Sequence, residues 1–143
     1  MEHLSKIEKF DRLFIRVASE VSDLSYCKRN KVGAILVVEN RILSIGYNGT
    51  PSGMENECED DCGNTKKIVM HAESNCLMHL CKSTQSSKDS TMYITLSPCI
   101  ECAKLIYQAG IKKVVYLDKY RNIEGIEFLK NVGIEIKQSL WGK

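Results

Sequence analysis

The chain has 143 residues, 43% of them hydrophobic and 27% charged, and 20 Lys/Arg against 18 Asp/Glu leave a formal charge of +2. Such a composition suits one soluble domain over residues 1–143 that needs no disulfide to fold. The near-neutral balance argues against a protein built mainly to hold nucleic acid, and no apolar run approaches the ~18 residues of a membrane span.

The N-terminus, MEHLSKIEKFDRLF, is polar and amphipathic, unlike a signal peptide. A cytoplasmic protein is expected, with the seven cysteines as free thiols or metal ligands. The odd count agrees, since internal pairing cannot be complete. Residues 4–24 carry Leu4, Ile7, Phe10, Leu13, Phe14, Val17, Val21 and Leu24 at helical spacing. Gly33–Val38 reads as a buried strand and Ile42–Tyr47 as its hairpin partner across a tight turn at Glu39-Asn40-Arg41. Residues 48–70 hold Gly, Pro, Asn, Cys and charges with little periodicity, and a loop that long is usually functional, metal-bound or disordered.

Beyond it the pattern alternates: helix 72–82, strand 91–96, helix 99–109, strand 113–117, helix 123–131, strand 134–137. Gly110 and Gly133 stand where helix C-caps belong. Alternation implies right-handed crossovers and parallel strands. The expected fold is therefore a three-layer α/β/α domain, with an approximately five-stranded mixed sheet and helices on both faces.

Two short stretches carry the chemistry: His71-Ala72-Glu73 and Pro98-Cys99-Ile100-Glu101-Cys102. Both fall at expected helix starts, with Ser97 as N-cap and Pro98 in the first turn. Cys99 and Cys102 at i,i+3 face one side and can share an ion. The partly positive helix end favours thiolate. One imidazole and two thiolates suit zinc with a fourth position open for water, as in a catalytic site. At a helix's first turn Glu73 reaches the same cavity and can move the water's proton. H-x-E combined with P-C-x-x-C is the signature of zinc nucleobase deaminases.

From about Cys27 to Tyr120 the chain resembles the cytidine deaminase superfamily and, within it, the deoxycytidylate (dCMP) deaminases. Cys27-Lys28-Arg29-Asn30-Lys31-Val32-Gly33-Ala34 is similar to that family's C-x-R-x-x-V-G-A. Gly46-Tyr47-Asn48-Gly49-Thr50-Pro51-Ser52-Gly53 matches its G-Y-N-G-x-P-x-G, His71-Ala72-Glu73-Ser74-Asn75 its H-A-E-x-N, and Thr95 to Lys112 its T-L-x-P-C-x-x-C-A-K-x-I-x-x-A-G-I-K. Cys76 departs from the alanine common after H-A-E-x-N.

The resemblance implies hydrolysis of dCMP to dUMP and ammonia, supplying dUMP for thymidylate synthesis, with zinc held by His71, Cys99 and Cys102 and with Glu73 as proton carrier. It implies Asn48 on the sugar, although an Asn also suits a Gly-flanked turn. The Ala72 N–H is expected on pyrimidine O2 and the Ser97 carbonyl on the 4-amino group. Arg29 and Tyr120 are candidates for the 5′-phosphate; Arg29 with its neighbouring lysines also reads as a solvated turn. Cys27, Cys58 and Cys62 are candidates for a second, structural zinc, with His3 and His79 as the other histidines, or for free thiols. Cys76 and Cys81 read as helix core. The family is commonly homohexameric, activated by dCTP (with Mg²⁺) and inhibited by dTTP, which makes Gly49, Pro51 and Gly53 candidate effector contacts. Acceptance of dCTP, action on a tRNA adenosine and a zinc-stabilised binding module without catalysis are the competing readings.

Overall fold

Ser5 opens α1 (Lys6–Ser22) through a capping box, its hydroxyl accepting from the Glu8 N–H and the Glu8 carboxylate from the Ser5 N–H, each at 3.1 Å. In the computed structural model, which describes residues 4–141, eight further elements follow. They are β1 (Gly33–Val38), β2 (Arg41–Tyr47), α2 (Ala72–Cys81), β3 (Thr91–Leu96), α3 (Ile100–Gln108), β4 (Lys113–Asp118), α4 (Glu124–Asn131) and β5 (Glu135–Gln138). Glu39 and Asn40 both take positive φ, 51° and 61°, which closes the β1–β2 hairpin in the turn whose twist matches its strands.

The sheet order is β2-β1-β3-β4-β5. β1 pairs antiparallel with β2 and β3, while β3–β4 and β4–β5 are parallel. Strand periodicity sorts the core into two halves. Ala34, Leu36, Met92, Ile94, Val114 and Tyr116 pack under α2, α3 and α4, whereas Ile35, Val37, Tyr93 and Val115 pack on Phe14, Ile15, Ala18 and Val21 of α1. The expected three layers are present, with one helix on one face and three on the other. No helix among the described residues is long and apolar enough to cross a membrane.

The buried stripe of α1 differs from the apolar positions read in sequence. Ile7 and Leu13 are exposed, and the buried stripe includes Asp11. The reason is electrostatic. Asp11 accepts from the Tyr93 hydroxyl at 2.5 Å and meets Lys137 at 2.8 Å and Lys113 at 3.3 Å, so α1 is tied to β3, β4 and β5. Burial works to raise the Asp11 carboxyl, but Lys137, Tyr93 and Lys113 outweigh it and hold it below its ordinary value. This stabilisation is full above the ordinary carboxylate range and is lost as pH falls through the lowered native value. Asp11→Asn should cost about 1.5–3 kcal/mol at neutral pH, because it removes the charge that Lys113 and Lys137 meet. Urea unfolding should also show a shallower loss of stability in acid for the variant than for the parent.

Two other expectations change. The α3 N-cap is Cys99 rather than Ser97, so the helix begins at Ile100, after Pro98. Of the two cysteines read as core on α2, Cys76 is buried but Cys81 is exposed at the helix end.

Candidate functional site

Helices α2 and α3 both begin beside the carboxyl end of β3, and each starts on a ligand-type residue. His71 caps α2 at φ −72°, ψ 158° and Cys99 caps α3 at φ −71°, ψ 169°, both extended and neither using its side chain as a cap. Those side chains are therefore free to turn toward each other. The His71 Nδ1 lies 3.3 Å from the Cys102 Sγ and 3.6 Å from the Cys99 Sγ. All three donor atoms fall within 4.8 Å of one another, the one such group among the described residues.

Tetrahedral zinc with bonds of about 2.3 Å to sulfur and 2.0–2.1 Å to nitrogen holds its ligands about 3.5–3.8 Å apart. The observed spacing and the soft donor set both fit that ion. Backbone contact fixes the turn that carries Cys99. A Cβ on Gly125 of α4 would stand 2.1 Å from the Pro98 carbonyl oxygen, so only glycine lets α4 press on this corner.

Electrostatics at the group favour a cation. Hydrogen bonding to Cys102 and to His71 holds the Cys99 thiol well below its ordinary range. Cys102 moves upward because it keeps the proton shared with Cys99 and is buried. His71 is raised, first by its contact with Cys99. Glu73, in the first turn of α2, is 4% exposed, and burial pushes its carboxyl up to about 7. An acid so tuned can both take and give a proton near neutral pH.

Above this group opens a cavity of about 510 Å³, within the range of about 300–1,000 Å³ usual for small-molecule sites. Its walls include His71, Ala72, Glu73, Ser97 and Cys99, together with Asn48, Arg29 and Tyr120. All eight were marked in the sequence. Ser97 joins two strand ends: its N–H donates to the Asp118 carbonyl at 2.9 Å, and its hydroxyl accepts from the Tyr120 N–H at 2.7 Å. Asn48 turns inward on the backbone, its Oδ1 accepting from the Val32 N–H and its Nδ2 donating to the Asn30 carbonyl, each at 2.8 Å. One amide hydrogen remains for a ligand.

Sequence reasoning missed Lys119, Arg121 and Glu59, which also line the cavity. The run Lys119-Tyr120-Arg121 directly after β4 was the available signal for the two cations. Gly49, Pro51 and Gly53 stand outside the cavity lining. Gly49 exchanges backbone hydrogen bonds with Met70, and Gly53 has φ 92° in a turn closed by the Met54 N–H on the Pro51 carbonyl.

The second metal group is not assembled. Cys27 and Cys58 are joined in a disulfide, and Cys62 is free and exposed. With their sulfurs bonded to each other, two of the three expected ligands are unavailable to an ion, and the free-thiol expectation fails for the same pair. His3 lies outside the described residues.

The model of the family described as "Cytidine and deoxycytidylate deaminase zinc-binding region" matches residues 8–118. The chain belongs to this family. Among its members, the deoxycytidylate deaminase of Enterobacteria phage T4 is 34% identical over 85% of this chain and 86% of its own. The human deoxycytidylate deaminase is 40% identical over 76% of this chain and 65% of its own, so this chain spans about two thirds of that relative. In three dimensions the chain is similar to the dCMP deaminase of cyanophage S-TIM5, solved in complex with dCMP and dUMP. That pair has 43% identity and a TM-score of 0.89, covering 95% of this chain and 99% of the other. The matched family segment contains His71, Glu73, Cys99 and Cys102.

Proposed function

We propose that this protein hydrolyses dCMP to dUMP and ammonia. The observation that carries the reading is the buried carboxyl of Glu73 in the wall of a cavity that His71 and Cys99 also line, with Cys102 completing the three-donor group. The three ligands would hold zinc, which when bound supplies a Lewis acid that makes water nucleophilic near neutral pH. Glu73 takes a proton from the attacking water and passes it to pyrimidine N3, which leaves C4 more electrophilic. The carboxylate, emptied by that transfer, takes the second proton from the new C4 hydroxyl and delivers it to the 4-amino group as the C4–N bond breaks, so water and dCMP become ammonia and dUMP. The Ala72 N–H, at the first turn of α2 where no intrahelical carbonyl exists for it, binds O2. The Ser97 carbonyl accepts from the 4-amino group, and Asn48 offers its remaining hydrogen to the 3′-hydroxyl.

Among the lining residues, the exposed Arg29, Lys119 and Arg121 give positive charge suited to a phosphate dianion, with Tyr120 beside them. Ammonia release from dCMP, dCTP, deoxycytidine and a tRNA substrate, measured in parallel, tests the reading. dCMP should be the best substrate, and Arg29→Ala should raise KM for dCMP about tenfold or more while sparing deoxycytidine. Preference for the tRNA, or equal effects of Arg29→Ala on nucleotide and nucleoside, would count against it.

The proposal extends to regulation and context. The loop of Gly49, Pro51 and Gly53 would take dCTP, with Mg²⁺, as activator and dTTP as inhibitor in a homohexamer. In the same assay the two triphosphates should shift the rate oppositely at subsaturating dCMP. The product dUMP would feed thymidylate synthesis. A cytoplasmic setting is part of the same proposal.

A further inference from the structure

We infer that Glu59 is a positioning residue for the anion-binding side of the pocket, acting through the turn at Lys28 and Arg29; the inference rests on the phosphate reading of Arg29. A single oxygen, Glu59 Oε2, accepts from the backbone N–H of Lys28 at 3.0 Å and of Arg29 at 3.2 Å. Among the described residues no backbone carbonyl takes either N–H. Two successive amides gripped by one carboxylate form a charge-assisted clasp that fixes the orientation of the peptide between them.

The clasp is reinforced on both sides. Cys58, one residue before Glu59, is bonded to Cys27, one residue before Lys28. Glu59 itself pairs with Thr65 in an isolated antiparallel bridge, and the Lys66 N–H donates to the Cys58 carbonyl at 2.7 Å. The long loop therefore holds the Arg29 turn by one covalent bond and one carboxylate, in matching order.

A bare carboxylate in the mouth of an anion pocket would repel phosphate. Here both Glu59 and Arg29 line the cavity, yet the carboxylate oxygen nearest the turn is occupied by two N–H groups. The Arg29 side chain is exposed and long, so its reach is defined only as well as its root. Fixing the root lowers the ordering cost when the guanidinium meets an anion.

The test uses Glu59→Ala and Glu59→Gln in the full-length, zinc-loaded protein, each alone and with Arg29→Ala. Steady-state constants are measured for dCMP and deoxycytidine, and calorimetry compares binding of dUMP with that of deoxyuridine, which needs no turnover. Glu59→Ala should raise KM for dCMP and weaken dUMP about tenfold, with kcat within about twofold and both nucleosides unaffected. Glu59→Gln should recover most of the loss, since its amide oxygen can accept the same two hydrogens. In the Arg29→Ala background Glu59→Ala should add nothing. The inference is overturned if nucleotide and nucleoside weaken equally, if the effect persists undiminished without Arg29, or if dUMP binding does not change. A parent protein that binds dUMP but releases no ammonia from dCMP would instead strike the deaminase reading, and the calorimetry would still decide the role of Glu59.

Discussion

Glu73→Gln should lower kcat for dCMP by about 10²–10⁴-fold, the usual worth of a positioned acid–base group, while the protein keeps its zinc. The carboxyl is buried at the first turn of α2, and burial holds it near 7. Glutamine fills the same volume and can hydrogen-bond, but it cannot carry a proton. The donors on His71, Cys99 and Cys102 are untouched, so zinc content by elemental analysis should equal the parent's. Melting temperature should stay level or rise, because a buried ionisable group costs stability that its function requires. Glu73→Ala should show the same kinetic loss with a further cost from the space it leaves. A zinc-replete Glu73→Gln variant with parental turnover refutes the proton-carrying role.

Cys99→Ala should lose zinc and turnover together. Three protein ligands are the minimum for a catalytic zinc. Deleting one should weaken affinity by well over the ~10–100-fold that follows loss of a mere outer partner. Cys99 makes no side-chain cap bond at the start of α3, so the helix does not depend on its sulfur. Circular dichroism should therefore match the parent while bound zinc and ammonia release collapse. A full zinc complement in this variant would show that the metal, if it binds, sits elsewhere.

Much of the framework was legible because hydrophobic period and glycine placement are local signals. Gly33–Val38 and Thr91–Leu96 alternate between two buried faces, and Gly110 and Gly133 take φ 80° and 85° just past their helices. The metal group was legible for the same reason: each half is a short motif at the start of its own helix. What was missed depends on distant partners. Asp11 looks like a surface residue until Lys113 and Lys137 arrive from two strands. Cysteine spacing does not determine pairing, so the Cys27–Cys58 bond across 31 residues could not be read. Glu59 lay in a stretch rich in acids, and nothing local marks the one whose oxygen reaches Lys28 and Arg29. Asn48 was recognised as important, but its two backbone bonds across 16 and 18 residues show a structural task that a motif alone does not separate from ligand contact.

Ser97, between Leu96 and Pro98, joins the carboxyl ends of β3 and β4 through the Asp118 carbonyl and the Tyr120 N–H. The Lys119–Arg121 segment is thus anchored to the residue that follows β3 by two hydrogen bonds to backbone groups rather than by mobile side chains. Cations carried on that segment keep a fixed root against the Cys99 corner, so their reach is set by the length of their own side chains.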